Sequence, residues 1–447
     1  MSTSRPSAHR WYVLGVLTVV YVFNISDRYV ISTLIEPIKA DLGLSDSSVG
    51  FLTGTALAIV YTGMGIPLAR LADRGNRRKL LTIAIALWSL MTAACGQASS
   101  FGWLIAARVG VGLGEAGATP ASQSLLADLF AFAERLPAMA VYAVGAAVGS
   151  LLGGSVGGLV ADAWGWRAAF LTLAVPSLAM APLVWLTVTE PRCGDSTKLA
   201  SVAAQPLPAR YVSLGAVVAF ARSQPALLHT LLGGTVCTLW SWGLLWWTPA
   251  FLSRSHGFST GRAGLLLGLI NGIGGTVGVL MGAWLIQRVG RRDPRFQCWS
   301  LALIVGVATI ASIIAYTTTR PLLMEAMMCV FVPVAYLHLA PVFGWIQSLA
   351  PSSMRAMFCA IFLFGANIAN LAIAPQVIGY GSDFLLAHTQ LGTESLRAML
   401  IATAFTGFWA AAHFWATGAR FTQDLTRVGV RVEATQEGPF QAVERGR

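Results

Sequence analysis

Twelve stretches of this chain stay mostly apolar over the roughly 20 residues that a helix needs to cross a hydrocarbon layer. They cover residues 11–36, 48–70, 79–98, 102–128, 136–161, 167–188, 226–252, 261–287, 296–317, 321–349, 355–381 and 396–419. Few folds remain open to such a chain. Only 11% of its 447 residues are charged and 55% are hydrophobic, where a soluble domain carries about 25% charged residues. Composition therefore excludes a soluble enzyme and a disordered chain, and predicts an all-α membrane protein. The longest polar stretch, Glu190 to Arg222, contains Pro191, Pro206 and Pro208. It divides the chain into a six-helix bundle (1–189), a linker (190–222), a second six-helix bundle (223–420) and a tail (421–447).

The net charge of +11 invites a nucleic-acid partner, but the basic residues are scattered among short connections, so none is expected. Their placement speaks to topology instead. With the N-terminus inside, 22 of the 30 Lys and Arg fall on the inner side and 6 on the outer. Arg28 and Arg108 lie within helices. This asymmetry predicts two cytoplasmic termini in a multi-pass protein of the cell (inner or plasma) membrane. Met1 to Arg10 is polar and basic without a small-residue cleavage site, and is read as the approach to the first helix rather than a removed signal. The six cysteines show neither paired nor metal-ligand spacing, so no disulfide, metal or cofactor is expected.

The halves repeat weakly. The run Ala69-Arg70-Leu71-Ala72-Asp73-Arg74-Gly75-Asn76-Arg77-Arg78 follows the second segment. Ala283-Trp284-Leu285-Ile286-Gln287-Arg288-Val289-Gly290-Arg291-Arg292 follows the eighth, 214 positions later. Parallel six-helix halves of this kind mark one transporter architecture, whose substrate site lies between the halves near the midplane.

Leu71-Ala72-Asp73-Arg74 with Arg77-Arg78 resembles the signature loop of the major facilitator superfamily, although Ala69 and Asn76 replace two of its glycines. The glycine-rich fifth segment, Gly165-Trp166-Arg167 and Glu190-Pro191 fit the same superfamily. Within it the chain resembles the spinster family, through Asp27-Arg28-Tyr29, Ser45-Asp46, Trp88-Ser89 and the run from Arg108 to Ala116 with Pro120. Arg355-Ala356, Asn367, Pro375, Gly379 and Ser382-Asp383 fit more loosely. The resemblance implies a secondary transporter that works by alternating access. Animal members export lysophospholipids or sphingosine-1-phosphate, which implies an amphipathic, lysolipid-like substrate. Facilitators that co-transport organic anions with protons share the Asp-Arg and Gly-Glu-Ala elements, so an anionic substrate stays open.

Charge deep in a bilayer costs at least about 2.5–3.5 kcal/mol per group and persists where it is paired or useful. The first half offers Asp27, Arg28, Arg108 and Glu115. Arg108 and Glu115 are two turns apart on one helix face, about 10.5 Å along the axis. Asp27 falls at a depth comparable to Arg108, so an Asp27–Arg108 pair is geometrically feasible, with Glu115 nearer the midplane. Asp27 and Glu115 are the expected proton-coupling groups, the proton being the coupling ion. Arg28 and Arg108 would hold those carboxylates or bind an anionic head group. The alternative is a static ion pair that fixes helix packing. Spinster proteins use matching Asp, Arg and Glu positions in coupling, and the resemblance carries that role to Asp27, Arg108 and Glu115.

Asp73, Arg74, Arg77 and Arg78 are the expected cytoplasmic gate, with topogenic charge as the alternative for the basic residues. In the second half Trp246, among Trp240, Trp242 and Trp247, is a candidate cavity wall, against an interfacial belt. Asn367 and Asn370 are candidate substrate contacts, against bonds between helices. His338 and His413 read as isolated packed residues. Asn24-Ile25-Ser26 matches a glycosylation pattern but lies inside a helix and is set aside. No nucleophile–base set, metal cluster or phosphate loop supports a membrane enzyme. A binding or sensing protein, and an uncoupled facilitator or scramblase, are the other rivals. A monomer in the lipid bilayer, with a small-molecule substrate and protons as its partners, is expected.

Overall fold

The computed structural model describes residues 7–190, 214–290, 293–351 and 353–428, and every element among them is helical. Most of the expected linker and tail lies outside the described residues. The long helices are α1 (Ser7–Thr33), α2 (Asp46–Gly50, a π turn Phe51–Thr55, then Ala56–Arg74), α3 (Arg77–Gly96), α4 (Phe101–Leu129), α5 (Phe132–Trp164) and α6 (Trp166–Thr187). Then follow α7 (Pro225–His256), α8 (Thr260–Leu269, a π turn Ile270–Gly274, then Gly275–Val289), α9 (Arg295–Thr317) and α10 (Pro321–Leu337 and Leu339–Leu349). The last are α11 (Arg355–Asn367, a π turn Ile368–Ile373, then Ala374–His388) and α12 (Ser395–Ala404 and Thr406–Arg427). Short helices, Ile35–Leu42 and Leu214–Ser223, precede α2 and α7.

Among the described residues nine of these helices are long and apolar enough to cross a membrane. Helices α2, α4 and α7 fall outside that set. In α4 hydropathy is lost to Arg108, Glu115, Gln123 and Asp128. Helix is the local answer because in a lipid setting each backbone N–H and C=O must be satisfied within its own segment. The starts are marked chemically. Ser45, Asn76, Ser100 and Ser259 each accept a bond from the backbone N–H three residues on.

Two apolar cores result. One is drawn from residues between Val13 and Val188, the other mostly from residues between Val217 and Leu425. They correspond to a first bundle (α1–α6) and a second (α7–α12). Between bundles α2 packs on α11 and α5 on α8. Both crossings run backbone to backbone: a Cβ at Gly50 would stand 2.5 Å from the Pro375 carbonyl oxygen, and one at Gly154 would stand 2.9 Å from that of Gly264. Hydrogen bonds between the bundles cluster toward the end that carries Asp46, away from the end that carries Arg77.

Candidate functional site

Four charged side chains meet where α1 crosses α4. Asp27, Arg108 and Glu115 are all buried, and Arg28 is half-buried. Three consecutive residues of α1 reach three different partners, as the 100° step of a helix requires. Asp27 accepts from Thr92 of α3 (2.6 Å) on one oxygen and from Arg108 Nη1 (3.1 Å) on the other. Arg28 Nε donates to Glu115 Oε2 at 2.7 Å. Tyr29 bonds across the bundle interface to the Tyr336 hydroxyl of α10 at 2.7 Å. Tyr336 donates onward to Asn271 Oδ1 at 2.9 Å, and Asn271 is held in turn by its own bond to the Leu267 carbonyl. Asn271 sits in the π turn of α8, a widened turn of a kind that recurs at functional sites.

The two carboxyls differ in satisfaction. Both oxygens of Asp27 are bonded, while Glu115 Oε1 is buried with no hydrogen-bond partner. Arg108 Nε and the whole Asn24 side-chain amide, one turn along α1 from Asp27, are buried without partners as well. Buried polar groups are ordinarily bonded, to protein or to ordered water, so these atoms mark a polar spot within the first bundle.

The remaining candidates separate. Trp246 donates to Asn370 Oδ1 at 2.8 Å and lies 6.0 Å from the Tyr29 ring, so it stands at the contact between the bundles. Asn367 ends the α-helical part of α11 and Asn370 lies in its π turn, so the two do not share a simple helical stripe, and Asn370 is the one bonded to Trp246. Arg77 is fully buried inside its own bundle: it bonds Glu190 (2.5 Å), Asp128 (2.6 Å) and the Ser124 carbonyl (2.9 Å), tying the ends of α3, α4 and α6. Arg78 stacks on Trp185 of the same bundle at 4.6 Å. The side chains of Asp73 and Arg74 lie outside the described residues. His413 is not isolated, since its ring meets His229 of α7 (Nδ1 to Nδ1, 2.9 Å); the two positions are 184 apart and no spacing signal joins them. His338 is fully buried at the break in α10 and bonds Thr238 at 3.2 Å.

The Asp46 end carries a second charged group that the sequence left unread. Arg254, at the end of α7, bonds Glu36 (2.6 Å) and both oxygens of Asp46 (2.7 Å each), while Lys39 and Ser382 reach Asp46 at 2.5 and 2.6 Å. Burial pushes the Asp46 carboxyl up. The bonds and charge of Arg254, with the bonds from Lys39 and Ser382, outweigh it and leave Asp46 at about 2, below the ordinary 3.8.

Comparison with known proteins agrees with this architecture. An MFS-type efflux pump of Mycolicibacterium smegmatis is 34% identical over 93% of this chain and 94% of its own length. Protein spinster of Drosophila melanogaster is 27% identical over 64% of this chain, which spans about half (47%) of that relative. A bacterial homolog of the human lysosomal transporter spinster, solved inward-facing and unoccupied, superposes with a TM-score of 0.80 at 26% identity, over 94% of this chain and 99% of that one. A D-xylose–proton symporter (TM-score 0.69, 18% identity, 91% and 97% covered) shares the fold. Residues 17–374 match the family described as the Major Facilitator Superfamily. This chain is a multi-pass membrane transporter, not an enzyme, and belongs to the Major Facilitator Superfamily.

Proposed function

We propose that this protein is a proton-coupled secondary transporter that carries an amphipathic, lipid-like or anionic organic molecule by alternating access. In this reading twelve helices span the cell membrane, both termini are cytoplasmic, and the protein works as a monomer. The Lys/Arg asymmetry then makes the joined Asp46 end the outer face and the state described here inward-facing.

The observation that carries the reading is the pair of buried ion pairs between α1 and α4, together with the unbonded Glu115 oxygen. A proton can settle on Glu115 Oε1 without displacing Arg28 from Oε2. A proton on Asp27 competes with the bond that Thr92 or Arg108 already makes to each oxygen. Glu115 is therefore the first acceptor, and its neutralisation loosens Arg28, which becomes available to an anionic head group. Trp246, Asn370 and Asn367 supply the opposite wall. A second reading, export from the cell, is favoured by the efflux pump relative. Organic-anion symport and uncoupled facilitation or scrambling are the competing outcomes.

The test is proton flux into liposomes that hold a pH-sensitive dye, with single-chain phospholipids and organic anions added in turn. Flux that needs one of these and vanishes in Asp27→Asn and Glu115→Gln supports coupling. Substrate movement indifferent to the gradient and to both substitutions overturns it.

A further inference from the structure

Each bundle presents one helix start to the other, and each start is met by a carboxylate. Asp383, near the end of α11, takes the N–H of Asp46 on one oxygen (3.0 Å) and the N–H of Ser47 on the other (2.8 Å). Asp162, near the end of α5, takes the N–H of Gly261 at 2.9 Å. The first N–H groups of a helix have no partner within it, and the terminus carries partial positive charge. Ser45 and Ser259 cap one such group each, that of Ser48 and that of Arg262. The carboxylate from the other bundle takes the groups nearer the terminus.

The two assemblies are copies of one design. Ser45 and Ser259 are 214 positions apart, the spacing of the internal repeat, and so are Asp46 and Thr260, Gly50 and Gly264, and Gly43 and Gly257. Gly43 and Gly257 both turn the chain with positive φ, 64° and 66°. Four residues before each carboxylate a glycine makes the close approach. Gly379 lies against the Asp46 carbonyl, and a Cβ at Gly158 would stand 2.6 Å from that of Thr260. Crossing, turn, serine cap and carboxylate thus recur together at α2–α11 and α8–α5.

We propose that Asp162 and Asp383 are paired positioning residues of the transport cycle. Each ties its own bundle to the first turn of a helix in the other, and the Asp46 end parts only when both release. The two sites belong to one rigid-body movement because each bundle has its own packed core. Removing one carboxylate therefore loosens the site it does not touch. This rests on the alternating-access reading and needs no proton.

The test is amide hydrogen exchange, read by mass spectrometry on the full chain in lipid nanodiscs. With Asp162→Ala, exchange should rise about fivefold at residues 260–262 and by a similar factor at 45–48; Asp383→Ala should do the converse, since one helix cap is worth roughly a factor of five. Asp162→Asn and Asp383→Asn keep a capping oxygen and should restore most of the protection. Amides in the middle of α3, around Trp88, report folding and should not change. If the alanine variants do lose α3 protection, Asp162→Ser and Asp383→Ser must give the same reciprocal pattern in milder form. Faster exchange confined to the substituted residue's own site overturns the pairing and leaves two local caps. Exchange at both sites that matches the α3 limit in the unaltered protein and ignores every variant would remove alternating access itself. Reciprocal loosening without proton flux would leave this inference standing and remove proton coupling alone.

Discussion

Gly379 lies against the backbone carbonyl of Asp46 with no room for a Cβ, so α11 and α2 touch main chain to main chain at the closed end. The obstacle is a carbonyl rather than the tip of a side chain, and it cannot swing away. Gly379→Ala should push the two helices apart and enlarge the population open at that end by about tenfold, the effect of roughly 1.4 kcal/mol of overpacking. Gly306→Ala, which meets open space, should change nothing. Labelling of a cysteine placed at Ser32, buried in the closed form, by a membrane-impermeant thiol reagent reads the difference.

Arg108 answers Asp27 inside the first bundle, where both side chains are buried. Arg108→Ala leaves a buried carboxylate unpaired and should cost about 3 kcal/mol or more in thermal unfolding of the detergent-solubilised protein. Combining it with Asp27→Asn should recover much of that loss, because both charges then go. Simple addition of the two single effects would show that the residues do not form a pair.

The Asp46 group sets a pH window. The Asp46 carboxyl stands at about 2 in the folded protein against an ordinary 3.8, so its contribution is fully present above about pH 4 and is lost as pH falls toward 2. Closure by Arg254 and Asp46 should hold unchanged between pH 5 and 8. A pH dependence of closure in that range belongs to other groups, and Asp46→Asn should leave its midpoint in place. Following Ser32→Cys labelling against pH in the two backgrounds decides this.

Arg77 is the centre of a knot within the first bundle. Arg77→Ala takes from the buried Glu190 carboxylate the guanidinium that bonds it and removes the ties that this side chain makes among the ends of α3, α4 and α6. The expected loss is about 3–5 kcal/mol of stability. Arg77→Lys should recover only part, since one ammonium cannot reach Glu190, Asp128 and Ser124 together. Thermal unfolding with transport measured in parallel separates this structural loss from a gating defect.

The long apolar runs of the chain announced the helices. The Asp27–Arg108 contact was reachable by counting depth along two helices, because rise per residue is fixed. Rotation is not fixed in the same way: hydropathy gives a segment's length but not which face meets which neighbour. That is why the direct Arg28–Glu115 bond, Thr92 behind Asp27, and the Tyr29–Tyr336–Asn271 relay could not be read beforehand. Asn24 went unread because its pattern resembled a surface modification site. The contacts of Asp162 and Asp383 had a trace in the chain, the serine and glycine at Ser45 and Gly43 repeated at Ser259 and Gly257. They become legible only when the two helix starts are laid side by side.

The π turns of α2, α8 and α11 have a mechanical consequence. Each stores one residue more than an α-helical turn, so each of these helices carries spare length inside itself. Passing that residue along the helix turns the residues it passes by about 100° and shifts them by about 1.5 Å, while the helix on either side keeps its hydrogen bonds. All three helices run through the contact between the bundles. The packed cores can then remain rigid while these crossings adjust their register, as a joint with slack lets two stiff arms turn without bending either.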